Sequence, residues 1–313
     1  MLAARMETRV AYGEALLDLG QARRDVVVLD ADLYRSTRTV LFAETFPERF
    51  FDLGIAEQDM VSTAAGLAAS GLVPYCNSFA MFITARCYDQ IRIQIAYPSL
   101  PVKLVGSSAG LTQGPDGASH QSLEDISLMR GLPNMAVVAP ADDVETRQAT
   151  MAIADWPGPV YLRLGRYPTP LLFDETYRFE VGRTARLREG QDLVIFACGH
   201  MVAKALEAAE LLARDGLGAR VVNVSTIKPL DAEAVRREAA GLQRAFTVEE
   251  HSILGGLGSA VAEVLAEEAR VPLTRLGIRD QFGESGLADE LLEKHGLQPA
   301  GIRASVVRAL RVR

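Results

Sequence analysis

Short runs of β-branched and other apolar residues alternate along the chain with amphipathic stretches. An apolar run of about four to eight residues bounded by turn residues is the mark of a strand buried on both faces of a parallel sheet, and the amphipathic stretches between such runs suit the helices that cover it. The pattern predicts a helix over 8–23 before a strand at 26–30, and a helix over 58–70 before a strand at 73–77. A third helix over 79–97 leads to a strand at 102–106, and strands at 135–138 and 160–164 complete the first series. After Arg166 the texture changes to YPTPLLFDETYRFEVGR, and a second alternating series begins at 193–198. It continues through strands near 220–224, 245–248 and 274–277 and helices near 202–215 and 257–269. The expected fold class is α/β, two doubly wound α/β domains at 1–187 and 188–313.

Composition narrows the class. With 49% hydrophobic and 23% charged residues in 313, the chain is globular rather than disordered or coiled-coil. Lysine and arginine total 33 against 40 acids, a net charge of −7 with no dense basic run, so nucleic acid is not an expected partner. No apolar run reaches the roughly 18 residues of a membrane span, and the start MLAARMETRV lacks the apolar core of a secretory signal, which predicts a cytoplasmic protein without a membrane partner. Cys76, Cys87 and Cys198 form no CxxC pair and read as buried thiols. The four histidines have no metal-ligand spacing, so no metal site of the chain's own is expected. A hydrolase elbow, a P-loop and a complete GxGxxG are not expected either.

Three stretches can carry chemistry. FFDLGIAEQDMVSTAAGLAASG places Glu57 at the start of an apolar helix, where an acid commonly serves the helix dipole. A carboxyl removed from water there can also share a proton with a heterocycle nitrogen. In NSFAMFITARCYDQ, Phe79 and Phe82 lie three apart on one predicted helical face, as core packing or as a flat apolar wall. GSSAGLTQGPDGASHQSLED is a strand exit with glycines at 106, 110, 114 and 117, holding Asp116 and His120. It reads either as a functional loop or as a turn-rich connection in which Ser122 caps the next helix.

GIAEQDM, SFAMF, GPDGASHQS, LPNMAVVAPAD, IKPLD and EEHSILGGLGS, in this order over nearly the whole chain, resemble the C-terminal half of a thiamine-diphosphate transketolase. The resemblance implies a pyrimidine-binding domain followed by the family's C-terminal domain. It implies catalytic roles for Glu57 and His120. Glu57 would hydrogen-bond the cofactor's pyrimidine, Phe79 and Phe82 would line its pocket, and Asp32 would lie near it. Asp116 and His120 match positions that contact sugar hydroxyls, and Arg9, Ser36 and Arg166 match positions used for substrate phosphate. The cofactors implied are thiamine diphosphate and Mg²⁺. The family's GDG motif, which holds the diphosphate and metal, does not occur here, so the resemblance implies a separate N-terminal transketolase subunit as partner, in an α2β2 assembly. The expected reaction is transfer of a two-carbon ketol unit from a ketose, phosphorylated or otherwise anionic, to an aldose. Two departures from the family pattern are Ser108 where a histidine is common and Ala85 where an aromatic stands, and GIAEQD is closer to deoxyxylulose-phosphate synthases. The β subunit of a 2-oxo acid dehydrogenase E1 and a non-catalytic interaction subunit are the competing readings.

Overall fold

The computed structural model describes residues 5–269 and 271–311. Its strands are β1 (Arg5–Met6), β2 (Val26–Asp30), β3 (Phe50–Asp52), β4 (Val73–Phe79), β5 (Lys103–Ser107), β6 (Ala136–Val138) and β7 (Val160–Arg163). They continue as β8 (Thr169–Pro170), β9 (Ala185–Arg188), β10 (Leu193–Ala197), β11 (Ala219–Asn223), β12 (Thr226–Lys228), β13 (Arg244–Ser252) and β14 (Leu273–Ile278). The first sheet has the order β12-β6-β7-β5-β4-β2-β3 and the second β14-β13-β10-β11-β9. All pairs are parallel except β12 on β6 and β9 on β11. β1 and β8 make a small antiparallel ribbon. Two α/β units with mixed, mainly parallel sheets are thus as expected, and β2 and β10 are buried at every position, which is why Val26–Leu29 and Leu193–Ala197 read as apolar runs.

Three local expectations change. Phe79 is the last residue of β4 rather than part of a helix, and the helical stretch that follows contains wide turns at Phe82–Arg86 and Ile91–Ala96. Ser122 does not cap the next helix, Asp125–Arg130, whose N-cap is Glu124 without a side-chain bond. The IKP segment, expected with the second domain, lends β12 to the edge of the first sheet, where Thr226 pairs with Val138.

A buried polar seam joins the two units. Arg163 donates from Nε to Asp125 Oδ2 at 2.7 Å and from Nη2 to the carbonyls of Glu250 at 3.2 Å and Ser122 at 3.4 Å. Tyr161 donates to the same Asp125 oxygen at 2.7 Å, and Asn223 donates to Glu145 at 2.9 Å. Burial alone would push the Asp125 carboxyl up, but Arg163 holds it below the ordinary range. Cys76, Cys87 and Cys198 are free and buried, their thiols pushed up by burial. Among the described residues no helix is long and apolar enough to cross a membrane.

Candidate active site

The candidate residues Asp32, Glu57 and Arg166 follow the C-terminal ends of parallel strands of the first sheet and Phe79 is itself such an end, at the edge where open α/β sheets take their ligands. Glu57 opens the helix Glu57–Ala69, whose unpaired first-turn N–H groups favour a negative charge. It is 5% exposed, and its Oε1 accepts from Arg86 Nη1 at 2.7 Å. The Arg86 guanidinium lies over the Phe82 ring, 3.9 Å from its centroid, a cation–π geometry. Phe82 and Phe79 meet at 5.8 Å with an interplanar angle of 36°, although one is at a strand end and the other in the helical stretch. His120 stands edge-on to both, at 6.0 Å from Phe79 and 5.1 Å from Phe82. Glu57, Arg86, Phe82, Phe79 and His120 therefore form one chain of contacts.

The loop residue Asp116 leads to a second group. Its Oδ2 accepts from Gln113 Nε2 at 2.5 Å and faces Arg166 Nη1 at 3.5 Å, both charged side chains being partly exposed. Arg9 and Ser36 make a third. Arg9 donates from Nε to Glu7 at 2.6 Å and from Nη1 to the Ser36 carbonyl at 2.8 Å. Thr8 ties the second and third groups together, since its hydroxyl oxygen accepts from the Gly165 N–H at 2.9 Å, one residue from each arginine. Asp32 is not drawn in by such a contact. It sits exposed in a left-handed turn at φ 59°, its N–H donating to Asp52. The buried acid there is Asp30, which accepts from Leu33 N, Thr37 and Thr39 and which burial pushes up to about 6.

Sequence reasoning missed Arg86, Gln113 and Glu7. Arg86 had a signal, standing four residues after Phe82 on the same helical face; Gln113 and Glu7 had none beyond proximity. It also passed over the hydrolase spacing. Residues 106–110 read GSSAG, which satisfies GxSxG, and Ser108 has the positive φ of 56° that an elbow needs. The Ser108 hydroxyl is buried without a partner among the described residues, so no base activates it, and hydrolase chemistry does not follow. The Gly-rich helix start in GGLGS is likewise filled from within: Glu249 accepts from Leu257 N at 2.7 Å and Gly258 N at 2.8 Å, the place a phosphate would take. Among the described residues no three His, Cys, Asp or Glu side chains come together as a metal site.

The pyrimidine-binding domain of transketolase matches residues 4–170 and the transketolase C-terminal domain matches residues 182–302. A protein of Methanocaldococcus jannaschii described as a transketolase C-terminal section is 46% identical over 97% of this chain and 96% of its own length. The 6-deoxy-6-sulfo-D-fructose transketolase subunit of Clostridium sp. (strain MSTE9) is 46% identical over 92% of this chain and 90% of its own. The solved structure of a split-gene transketolase, an inactive β4 tetramer, matches with a TM-score of 0.90 at 48% identity, covering 98% of this chain and 99% of that one. With both domains present in order and full-length relatives of this similarity, the chain belongs to the transketolase family and corresponds to its C-terminal section.

Proposed function

We propose that this chain is the catalytic subunit of a split transketolase, moving a two-carbon ketol unit from a ketose with an anionic end to an aldose, and that it acts only with an N-terminal subunit. The observation that carries this reading is the convergence of a buried Glu57 with Phe79, Phe82 and His120 at the ligand-binding edge of the sheet. The residues suit thiamine diphosphate. A carboxylate in a first helical turn and two aromatic rings make a polar end and an apolar wall, and the Ser78 and Ser107 hydroxyls, at the ends of β4 and β5, are buried without partners among the described residues. When bound, the cofactor supplies the carbanion chemistry.

Glu57 would hold a proton at the pyrimidine ring nitrogen, drawing Oε1 away from Arg86, and Phe79 and Phe82 would exclude water from the ring. Asp116 and His120 would bind sugar hydroxyls from the loop, and Arg9, Ser36 and Arg166 would receive the anionic end. The two guanidiniums suit a phosphate or a sulfonate, and each already has a carboxylate neighbour, Glu7 or Asp116, that orients it. No GDG segment is present to hold diphosphate and Mg²⁺, so the partner subunit would supply those groups in an α2β2 assembly. Calorimetry tests the partner dependence: the isolated chain should bind thiamine diphosphate poorly with Mg²⁺ present and show no ketol transfer, and adding the N-terminal subunit should restore both. Submicromolar cofactor binding and turnover by this chain alone would overturn the reading.

A further inference from the structure

The loop that carries Asp116 and His120 is held from behind by the second domain. Glu250, near the end of β13, is 4% exposed and reaches across the seam. Its Oε2 accepts from both the Thr112 N–H at 3.0 Å and the Thr112 hydroxyl at 2.8 Å, while Oε1 pairs with His200 Nδ1 at 2.9 Å. Gly110 lies flat against the same carboxylate: a Cβ there would fall 2.4 Å from Glu250 Cδ, and its φ of 84° already favours glycine. A second grip lies further along the loop. Gln121 Nε2 donates to the Glu284 carbonyl at 2.9 Å, and a Cβ on Gly117, at φ 74°, would sit 2.5 Å from Ser285 Oγ. His200 in turn packs its ring on Tyr167 at 5.2 Å, next to Arg166. The backs of both substrate-facing groups thus meet the Glu250–His200 pair.

We infer that Glu250 is a positioning residue for substrate binding, fixing the loop 110–121 through Thr112 so that Asp116 and His120 meet the sugar already ordered. The inference rests on the proposed reading of Asp116 and His120 as substrate ligands. Three glycines between 110 and 117 give the loop backbone freedom that would otherwise have to be lost when the sugar binds. A carboxylate that accepts two bonds from one loop residue moves that loss into folding, so its effect belongs in KM rather than in the chemical step. The same carboxylate also faces Arg163 across the seam, Oε1 lying 3.8 Å from Nη1, so Thr112→Val, which leaves that ion pair in place, isolates the loop contact.

The test uses the enzyme reconstituted with its N-terminal subunit, with fructose 6-phosphate as donor, or 6-deoxy-6-sulfofructose where the phosphate is not turned over. Glu250→Ala should raise donor KM about tenfold with kcat within about threefold, Thr112→Val should raise it about threefold, and Glu250→Gln, which keeps an accepting oxygen, should restore KM to within about twofold of wild type. In a His120→Ala background the Glu250→Ala effect should shrink from about tenfold to about threefold, because the loop has lost one of the two ligands it positions. If Glu250→Ala does not fold, Thr112→Val decides the matter. Unchanged donor KM in Thr112→Val, or effects of Glu250→Ala and His120→Ala that multiply in full, would overturn the inference while leaving the site reading intact. Unchanged KM in both His120→Ala and Asp116→Ala would overturn the site reading and the inference with it.

Discussion

Replacing Arg163 by Met removes the cation of the seam between the two units while keeping an apolar side chain of similar length in its place. Arg163 is 6% exposed and Asp125 0%, so neither group can recover a water partner when the other is lost. The 2.7 Å bond from Nε to Asp125 is charge-assisted and worth about 1.5–3 kcal/mol. The longer bonds to the carbonyls of Glu250 and Ser122 add about 0.5–1 kcal/mol each, so the total is about 2.5–5 kcal/mol, close to the usual cost of unpairing a buried ion. For a chain of this size that corresponds to a fall in Tm of about 4–8 °C. The loss should depend on pH. Because Arg163 holds the folded-state Asp125 carboxyl below its unfolded value, the stability it supplies is present above about pH 4 and disappears as pH falls through the folded-state value. Urea unfolding followed by circular dichroism at pH 7, pH 4 and about pH 2.5 measures both effects, the pH-dependent part falling between the last two. Arg147→Met is the control, since Arg147 pairs with Glu14 and Asp143 at the surface and should cost less than about 1 kcal/mol. A loss below about 1 kcal/mol for Arg163→Met at pH 7, or one no larger than that of Arg147→Met, would refute this account of the seam.

Glu57→Gln in the reconstituted enzyme should lower kcat by about 10²–10⁴-fold with assembly unchanged by gel filtration, and near-normal kcat would remove Glu57 from the proton-holding role. Arg166→Ala should raise KM for an anionic donor at least about tenfold, or about 1.4 kcal/mol, with little change for a neutral ketose; equal effects on the two would mean that Arg166 only positions its loop. Burial pushes Asp30 up to about 6, above its unfolded value, so its proton favours folding at low pH and that contribution is lost as pH rises from about 4 through 6. Asp30→Asn should therefore remove about 3 kcal/mol of pH-dependent decline across that window, measured as the difference between urea-unfolding free energies from pH 4 to 7; parallel curves for the two proteins would contradict the assignment.

Much of the fold and part of the site can be read along the chain, because the signals concerned are local. A strand buried on both faces is mostly apolar, so β10 and Val26–Leu29 of β2 stand out as runs, β4 and β5 do so despite buried polar residues such as Asn77 and Lys103, and the helices between them show their one-sided patterning. Of the candidate site residues, Asp116 and His120 stand out in a polar, turn-rich segment after β5 and Glu57 at the start of an apolar helix, whereas Arg166 is indicated only by the family resemblance. Tertiary structure alone decided the rest. It turned the chain at Ala80, so that Phe79 and Phe82 meet from a strand and a helix, and it set Arg86 on Glu57 across 29 positions. It carried β12 to the edge of the other sheet, and it brought Glu250 to Thr112 across 138 positions. No periodicity encodes such pairs. A polar residue at the end of a strand looks the same in sequence whether it faces water or a distant carboxylate, and only the packing of one unit on the other removes the water and makes the partner obligatory.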